Sequence, residues 1–423
     1  MKHSTGLFGV VTDQKSASSV VAIKKKNLRK KLIYNLYCNG SMSIPELGKM
    51  LSISMPSVVR IIKELTEEAI ISEQGAGPSI GGRKPALYGL TNNSRYTIGI
   101  DISQNSVRMA IMNLLNQPVG DMVRYPISIQ KSQGEKANWF VDEVSKKVNE
   151  LIESQNIPRE KLLGVGIAVP GLQNPETGVN KTHLTSLDKP LRDEFEARLK
   201  LPVFIDNDAR LMALGEYRFG LAQGKKNALC LNVGVGVGMG MILNGRLYQG
   251  STGYAGELGH IRILQEGILC ICGKEGCLET VTSGPALERL AWEGIELGVA
   301  TMLHDLKNDT SRPFYEIIIQ AALKGDSFSI GLLDNIGHNL GKGLANMLHI
   351  FNPEIIIIGG TISRSGRYIT DPIQQALNRY AIEFIRRETE LCISQLDDKS
   401  GLLGAHALVM SRVFKDVEST QNQ

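Results

Sequence analysis

The sequence predicts an α/β protein of two lobes, preceded by a winged helix-turn-helix and carrying a metal-holding loop in its second half. Three observations lead there. Residues 1–90 hold 13 Lys and Arg against 6 Asp and Glu, while the remainder holds 34 against 37. A basic unit therefore precedes a mildly acidic body. A grammar of strand, hairpin, helix and strand starts near residue 96 and starts again near residue 228, the pattern of helices packed on sheets. Between Gly253 and Glu279, one histidine and three of the chain's six cysteines crowd together, and such spacing suits a metal.

With 423 residues, 42% apolar and 21% charged, the composition is that of a globular protein of about two to three domains. Uninterrupted apolar runs are as short as Ile355 to Ile358, too short to span a bilayer. Residues 1–20 have neither a long apolar run nor a small-residue cleavage site, so they do not read as a secretory signal. Small and polar, they are expected to form a disordered tail. Cys38, Cys230 and Cys392 are scattered, which fits a reducing, cytoplasmic setting with one metal site better than a disulfide framework.

Residues 21–91 are expected to form the DNA-binding unit. Lys24 to Tyr37 places Leu28, Leu32, Ile33 and Leu36 at helical spacing. Ile44 to Leu51 reads as a short second helix with Pro45 in its first turn. After the turn Ser52-Ile53-Ser54, a third helix runs from Met55 to about Glu68, with Ser54 placed to cap it. Val58, Ile61, Ile62 and Leu65 form its buried stripe, leaving Ser57, Val59, Arg60 and Lys63 outward. Two short helices joined by a tight turn are the layout of a helix-turn-helix, whose second helix enters the major groove of double-stranded DNA. Ile70 to Glu73 and Ala86 to Leu90 read as a wing around the tip Ile80 to Pro85, where glycines would let Arg83 and Lys84 approach a minor groove. A protein-binding winged helix with a solvated basic face is the alternative.

The first lobe is expected over 92–208 and the second over 209–423. Strands are read at Tyr96 to Asp101, Val107 to Asn113 and Val119 to Ile129, then a helix from Asn138 to Ser154 and a buried strand from Leu163 to Val169. A helix from Leu191 to Leu199 and a strand from Val203 to Ile205 lead into Asp206-Asn207-Asp208. The second lobe opens with Ala228 to Val233 and Gly238 to Leu243, with Asn244-Gly245 as a hairpin turn. Helices follow, then a strand from Glu354 to Ile358 and a closing helical stretch from Gly404 to Phe414. Two such lobes enclose a cleft.

In the loop 253–279, His260, Cys270, Cys272 and Cys277 offer one imidazole and three thiols to a single Zn2+, flanked by Glu257 and Glu279. A glycine-rich loop with merely small, apolar cysteines is the competing reading. Taken alone, Asp208 could be a helix N-cap and Glu257 a surface charge.

Glu257-Leu258-Gly259-His260, the Cys-x-Cys-Gly-x-x-Gly-Cys-x-Glu run at 270–279, Val169-Pro170-Gly171, Asn207-Asp208-Ala209 and Asn232-x-Gly-x-Gly together resemble the ROK family of repressors, open reading frames and kinases. The resemblance spans essentially the whole chain, including Gly-Gly-Arg-Lys-Pro at 81–85. It points to the regulator branch, similar to repressors of xylose, glucose and N-acetylglucosamine utilisation. It implies an actin-like, duplicated ribonuclease H-like fold that binds a sugar between its lobes. It further implies a structural zinc on His260, Cys270, Cys272 and Cys277, and sugar contacts from Asn207, Asp208, Glu257, His260 and Glu279.

Kinases of the family use the aspartate at position 208 as a base and carry Asp-x-Gly-Gly-Thr at the first turn. Here that turn reads Asp101-Ile102-Ser103-Gln104-Asn105, and a second loop reads Gly234-Val235-Gly236 without its hydroxyl. Backbone amides close around a phosphate only where glycine lets the chain approach. The sugar pocket is thus expected to be kept, the phosphate cradle lost, and no residue catalytic. His183 stands where kinases often place a sugar-touching asparagine. The expected protein is a cytoplasmic sugar-responsive repressor, a homodimer or a pair of dimers, with an operator and a sugar or amino sugar as partners. An ATP-dependent sugar kinase with an appended DNA-binding unit is the alternative, with Asp208 as base.

Overall fold

The structure, a computed structural model, describes residues 20–77, 84–130, 132 and 136–421. The tail assigned to residues 1–20, apart from Val20, and Arg83 on the wing tip lie outside the described residues. The N-terminal unit comprises α1 (Val20–Asn39), β1 (Met42–Ser43), α2 (Ile44–Leu51), α3 (Met55–Glu67), β2 (Ile71–Ala76) and β3 (Ala86–Leu90), the strands ordered β1-β3-β2. A capping box starts α2: Ser43 Oγ accepts from the Glu46 amide, and the Glu46 carboxylate accepts from Ser43 N–H. Ser52 turns the chain in the left-handed region at φ 54°. Ser54 stands at the N-cap of α3 but makes no side-chain cap, because its hydroxyl pairs with Ser57 Oγ at 3.0 Å. The expected cap is therefore replaced by a side-chain pair. Val58, Ile61, Ile62 and Leu65 are buried as their spacing predicts.

The first sheet contains β4 (Tyr96–Ile102), β5 (Val107–Asn113), β6 (Pro118–Tyr125), β7 (Leu162–Val169) and β8 (Val203–Asn207) in the order β6-β5-β4-β7-β8. The third strand ends at Tyr125, short of the expected Ile129, since Pro126 has no N–H to continue a ladder. α4 (Lys136–Ser154) and α5 (Leu191–Leu199) cover the outer face, where Phe140, Val144 and Phe195 meet Ile98, Val165 and Ile167. After α6 (Asp208–Phe219) the second sheet follows, built from β9 (Ala228–Val233), β10 (Val237–Leu243), β11 (Arg246–Leu247), β12 (Ile355–Gly359) and β13 (Glu390–Ile393). Its order, β11-β10-β9-β12-β13, repeats the first, with three strands antiparallel and the last two parallel to the first strand. This is the duplication expected from the resemblance.

Helices α7 (Glu279–Thr282), α8 (Gly284–Glu296), α9 (Leu303–Leu306), α10 (Phe314–Leu323), α11 (Ser327–Phe351), α12 (Arg367–Tyr380) and α13 (Glu383–Arg387) follow around the second lobe, and α14 (Ser400–Gln421) closes the chain. α8, α10, α11 and α12 share a core with the outer face of the second sheet. Between the sheets lie two helices: α6 packs Met212 and Ala213 on the second, and α14 lies on the first. The last helix of the C-terminal half thus belongs spatially to the first lobe. Gly166 makes this possible, since a Cβ there would lie 2.0 Å from Ala405 O. α14 also enters the N-terminal unit, where Val409, Met410, Val413 and Phe414 share one core with Leu32, Ile33 and Leu36.

Candidate functional site

A cleft of about 2100 Å³ opens between the two sheets, and Asn207, Asp208, Glu257, His260 and Glu279 all line it. Asn207 and Asp208 arrive at the end of β8, where the chain turns into α6. The N-cap is Asn207, whose Oδ1 accepts from Ala209 N–H at 3.0 Å and Arg210 N–H at 3.2 Å. Its Nδ2 donates to Gly171 O at 3.0 Å, so one amide hydrogen remains for a ligand. Asp208, freed from capping, faces the cleft and accepts from Asn232 Nδ2 at 3.1 Å. Burial, then repulsion from Asp101, pushes its carboxyl up to about 7. Burial also raises Glu257. Glu279 starts α7 and has one oxygen engaged by Val237 N–H at 2.9 Å, leaving the other toward the cleft.

The cysteine loop is drawn together by three of its own backbone pairings: Arg262 opposite Cys277, Leu269 opposite Glu275, and Cys270 N–H on Lys274 O at 2.8 Å. His260, Cys270, Cys272 and Cys277 each turn one ligand atom to a common point, all within 4.8 Å of one another. Cys270 Sγ is 3.5 Å from His260 Nδ1, and Cys272 Sγ is 3.6 Å from Cys277 Sγ. Ligands at the vertices of a zinc tetrahedron stand about 3.5 to 4 Å apart, so the donor set fits a metal ion. Burial and the neighbouring thiols push Cys277 up to about 12; three sulfurs this close ionise together only around a cation. The two imidazole nitrogens are divided: Nδ1 faces the sulfurs, and Nε2 lies 3.9 Å from Glu257 Oε2, on the cleft side.

Of three features, two went unread in the sequence and one was read only in part. Arg210, on α6, is fully buried with Asp206: its Nη2 lies 2.6 Å from Asp206 Oδ1. The same guanidinium donates to Gln173 O and Ala255 O at 2.7 and 3.3 Å, tying the loop before Glu257 to the start of α6. The i, i+4 spacing of Asp206 and Arg210 was the available signal. His183, noted only for its alignment, is buried at the cleft wall, and its Nδ1 lacks a partner among the described residues. Burial lowers its pKa, leaving a neutral ring aimed at ligand space. Third, Arg108 joins Asp101 at 2.7 Å to Asp398 at 3.0 Å, and Arg364 meets Asp398 at 2.6 Å. These ion pairs line the cleft beside Ser103 and Gln104.

On the N-terminal unit, Val59, Arg60 and Lys63 are exposed on one side of α3 and Ser57 is half-buried. One turn after Arg60 on the same flank, Glu64 anchors α3 to α1, pairing with Lys25 at 2.7 Å and Arg29 at 3.1 Å. Lys84 is exposed at the base of the wing.

A family model described as the ROK family matches residues 97–412. A putative xylose repressor of Caldicellulosiruptor sp. (strain Rt8B.4) is 30% identical over 390 residues, covering 91% of this chain and 96% of its own. A glucokinase of Halalkalibacterium halodurans is 32% identical over 320 residues, 75% of this chain and 96% of its own. Among solved structures, a ROK family transcriptional regulator, homologous to the E. coli MLC protein, matches with a TM-score of 0.77 at 26% identity, covering 92% of this chain and 97% of that one.

Proposed function

The chain belongs to the ROK family, and from that premise we propose a sugar-responsive, DNA-binding repressor of carbohydrate-utilisation genes, released by a sugar or sugar derivative. One observation carries the reading. The match to the xylose repressor is 70 residues longer than the match to the glucokinase, about the length of the unit from α1 to β3. What this chain shares with a regulator beyond a kinase is the size of a DNA-reading module.

In this reading α2 and α3 are a helix-turn-helix. Ser57, Val59, Arg60 and Lys63 face the major groove, and the wing brings Arg83 and Lys84 to the backbone or minor groove. A homodimer sets two such units on the half-sites of an operator. His260, Cys270, Cys272 and Cys277 hold zinc, which supplies a structural brace, because protein fills all four positions. The brace holds the His260 ring so that its Nε2 edge stays in the cleft beside Glu257. Sugar hydroxyls donate to Asp208, Glu257 and Glu279 and meet the remaining Asn207 hydrogen. His183 adds the Nδ1 of a neutral ring, unpartnered among the described residues, a polar group that selects among sugars. A sugar that prefers one lobe arrangement by roughly a hundredfold, about 3 kcal/mol, suffices to switch DNA affinity.

The kinase reading has its own support, the 32% identity to a glucokinase and an Asp208 carboxyl near 7, a range suited to a base. Against it, Arg108 and Arg364 form ion pairs beside the first turn, and that turn reads Ser103-Gln104-Asn105 where the family's kinases carry two glycines and a threonine. One experiment addresses both. DNA selected by the full chain from a random duplex library is bound with and without D-xylose, D-glucose or N-acetylglucosamine, and the same sugars are assayed with ATP. We expect an inverted-repeat site, weakened about tenfold by Arg60→Ala, release by one sugar, and no turnover. Turnover that vanishes in Asp208→Asn, with no selected site, would overturn the repressor reading.

A further inference from the structure

α6 runs from the cleft to His406 of α14, the helix that also packs against α1. Its first residue is Asp208, and its last, Phe219, lies against the His406 ring with centroids 6.0 Å apart. Twelve helical residues span about 18 Å. Along that length α6 is seated on α14 at backbone distance: a Cβ on Gly404 would lie 1.8 Å from Leu211 O, and one on Gly215 2.4 Å from Ser400 O. Two helices in such contact move together, because close-packed interiors do not yield continuously.

His406 is fully buried on α14. Its Nδ1 is 2.6 Å from Thr97 Oγ1 on β4, and its Nε2 is 2.8 Å from Asn116 Oδ1 in the β5–β6 turn. Asn116 Oδ1 also accepts from Tyr37 Oη–H on α1 at 2.7 Å. A carbonyl oxygen only accepts, so His406 donates from Nε2, and its Nδ1 accepts from Thr97. Burial favours this neutral ring, holding its pKa near 4. The end of α1 is gripped a second time: Tyr34 and Tyr37 pack on Phe414 with centroids 5.2 and 5.8 Å apart, and Lys30 pairs with Asp416 at 3.0 Å. α1 in turn carries α3 through Arg29 and Glu64.

We propose that α6 transmits the state of the cleft to the DNA-reading unit, with His406, Asn116 and Tyr37 as the positioning joint between Phe219 and α1. The inference rests on the regulator reading for its purpose, yet its physical content is a coupling between Asp208 and α1 that neither operator nor sugar is needed to measure. A shift of the α6 first turn carries Phe219, His406 follows, and the shared Asn116 oxygen draws Tyr37. Side chains hydrogen-bonded in one such part-buried chain are coupled non-additively.

The test is a mutant cycle read by amide hydrogen exchange on the full chain. Asp208→Asn perturbs the cleft; Tyr37→Phe, and separately Phe219→Leu, cut the joint at its two ends while keeping ring or apolar volume. We expect Asp208→Asn to change exchange over residues 30–39 about fivefold, a modest coupling, and by clearly less in either joint-cut background, where the Phe414 and Asp416 contacts still tie α14 to α1. A purely structural role would let the effects of Tyr37→Phe and Asp208→Asn multiply independently. Independent effects, or no change at α1 on Asp208→Asn, would overturn the proposal. Loss of DNA selection with the coupling intact would instead count against the repressor reading alone.

Discussion

Asp208 and His406 are shifted in opposite directions by one cause, burial of an ionisable group. Asp208 rises to about 7 and His406 falls to about 4, each toward its neutral form. The consequence for His406 is a dependence of stability on pH. Unfolded, it takes a proton near 6.5; folded, it resists until about 4. Acidification across that window therefore favours the unfolded chain, and the stability is lost as pH falls. Asp208 acts oppositely, since its native carboxyl takes up a proton first. In urea titrations, the stability gap between wild type and His406→Gln should shrink by about 2 kcal/mol between pH 7 and pH 4.5. A gap that stays constant would mean His406 is not held neutral. His406 was illegible in the sequence because its partners Thr97 and Asn116 are about 300 residues away in the chain. The cysteine cluster was legible because Cys270, Cys272 and Cys277 fall within eight residues of one loop.

Elements repeat this contrast between local and distant causes. α2 and the buried stripe of α3 were readable, since capping residues and helical spacing act within a few positions. The cap of α6 was not: Asn207 and Asp208 are both good capping residues. Asn207 took the role because Gly171 O receives its other end, leaving Asp208 to the cleft. Glycine in helices shows the same division. By propensity, Gly→Ala in a helix gains up to about 1 kcal/mol. At Gly331, exposed on α11 with nothing within 4 Å of a new Cβ, alanine should raise the thermal midpoint by a degree or two, roughly as that propensity implies. At Gly404 the same change drives a methyl into Leu211 O and separates α6 from α14; we expect a loss of about 3 kcal/mol or more, as in overpacked cores. Equal midpoints for Gly404→Ala and wild type in calorimetry would contradict the close crossing.

At the scale of the molecule, five layers stack from α4 and α5 through two sheets and their shared helices α6 and α14 to the outer helices of the second lobe. The cysteine loop is attached to this stack at the cleft, so metal and sugar should be linked. Chelation, or Cys272→Ser, is expected to lower the thermal midpoint and abolish the sugar-induced shift, because ligand-linked stability requires a formed site. A chelated protein that still gains stability from its sugar would separate the loop from sensing. Among the described residues no helix is long and apolar enough to cross a membrane, in line with the short apolar runs of the chain. The sequence by itself determined the basic N-terminal unit, the two repeats of one sheet grammar and the crowding of three cysteines in one loop, because each is a matter of composition or spacing over a few residues; the missing glycines of the first turn stood out only against the family resemblance. Only the tertiary structure decided which carboxylates share the cleft, that Arg108 bridges Asp101 and Asp398, and that the last helix returns to the first sheet and packs against both α6 and α1. Those depend on contacts between residues far apart in the chain, where burial and close packing, not local pattern, set which groups meet.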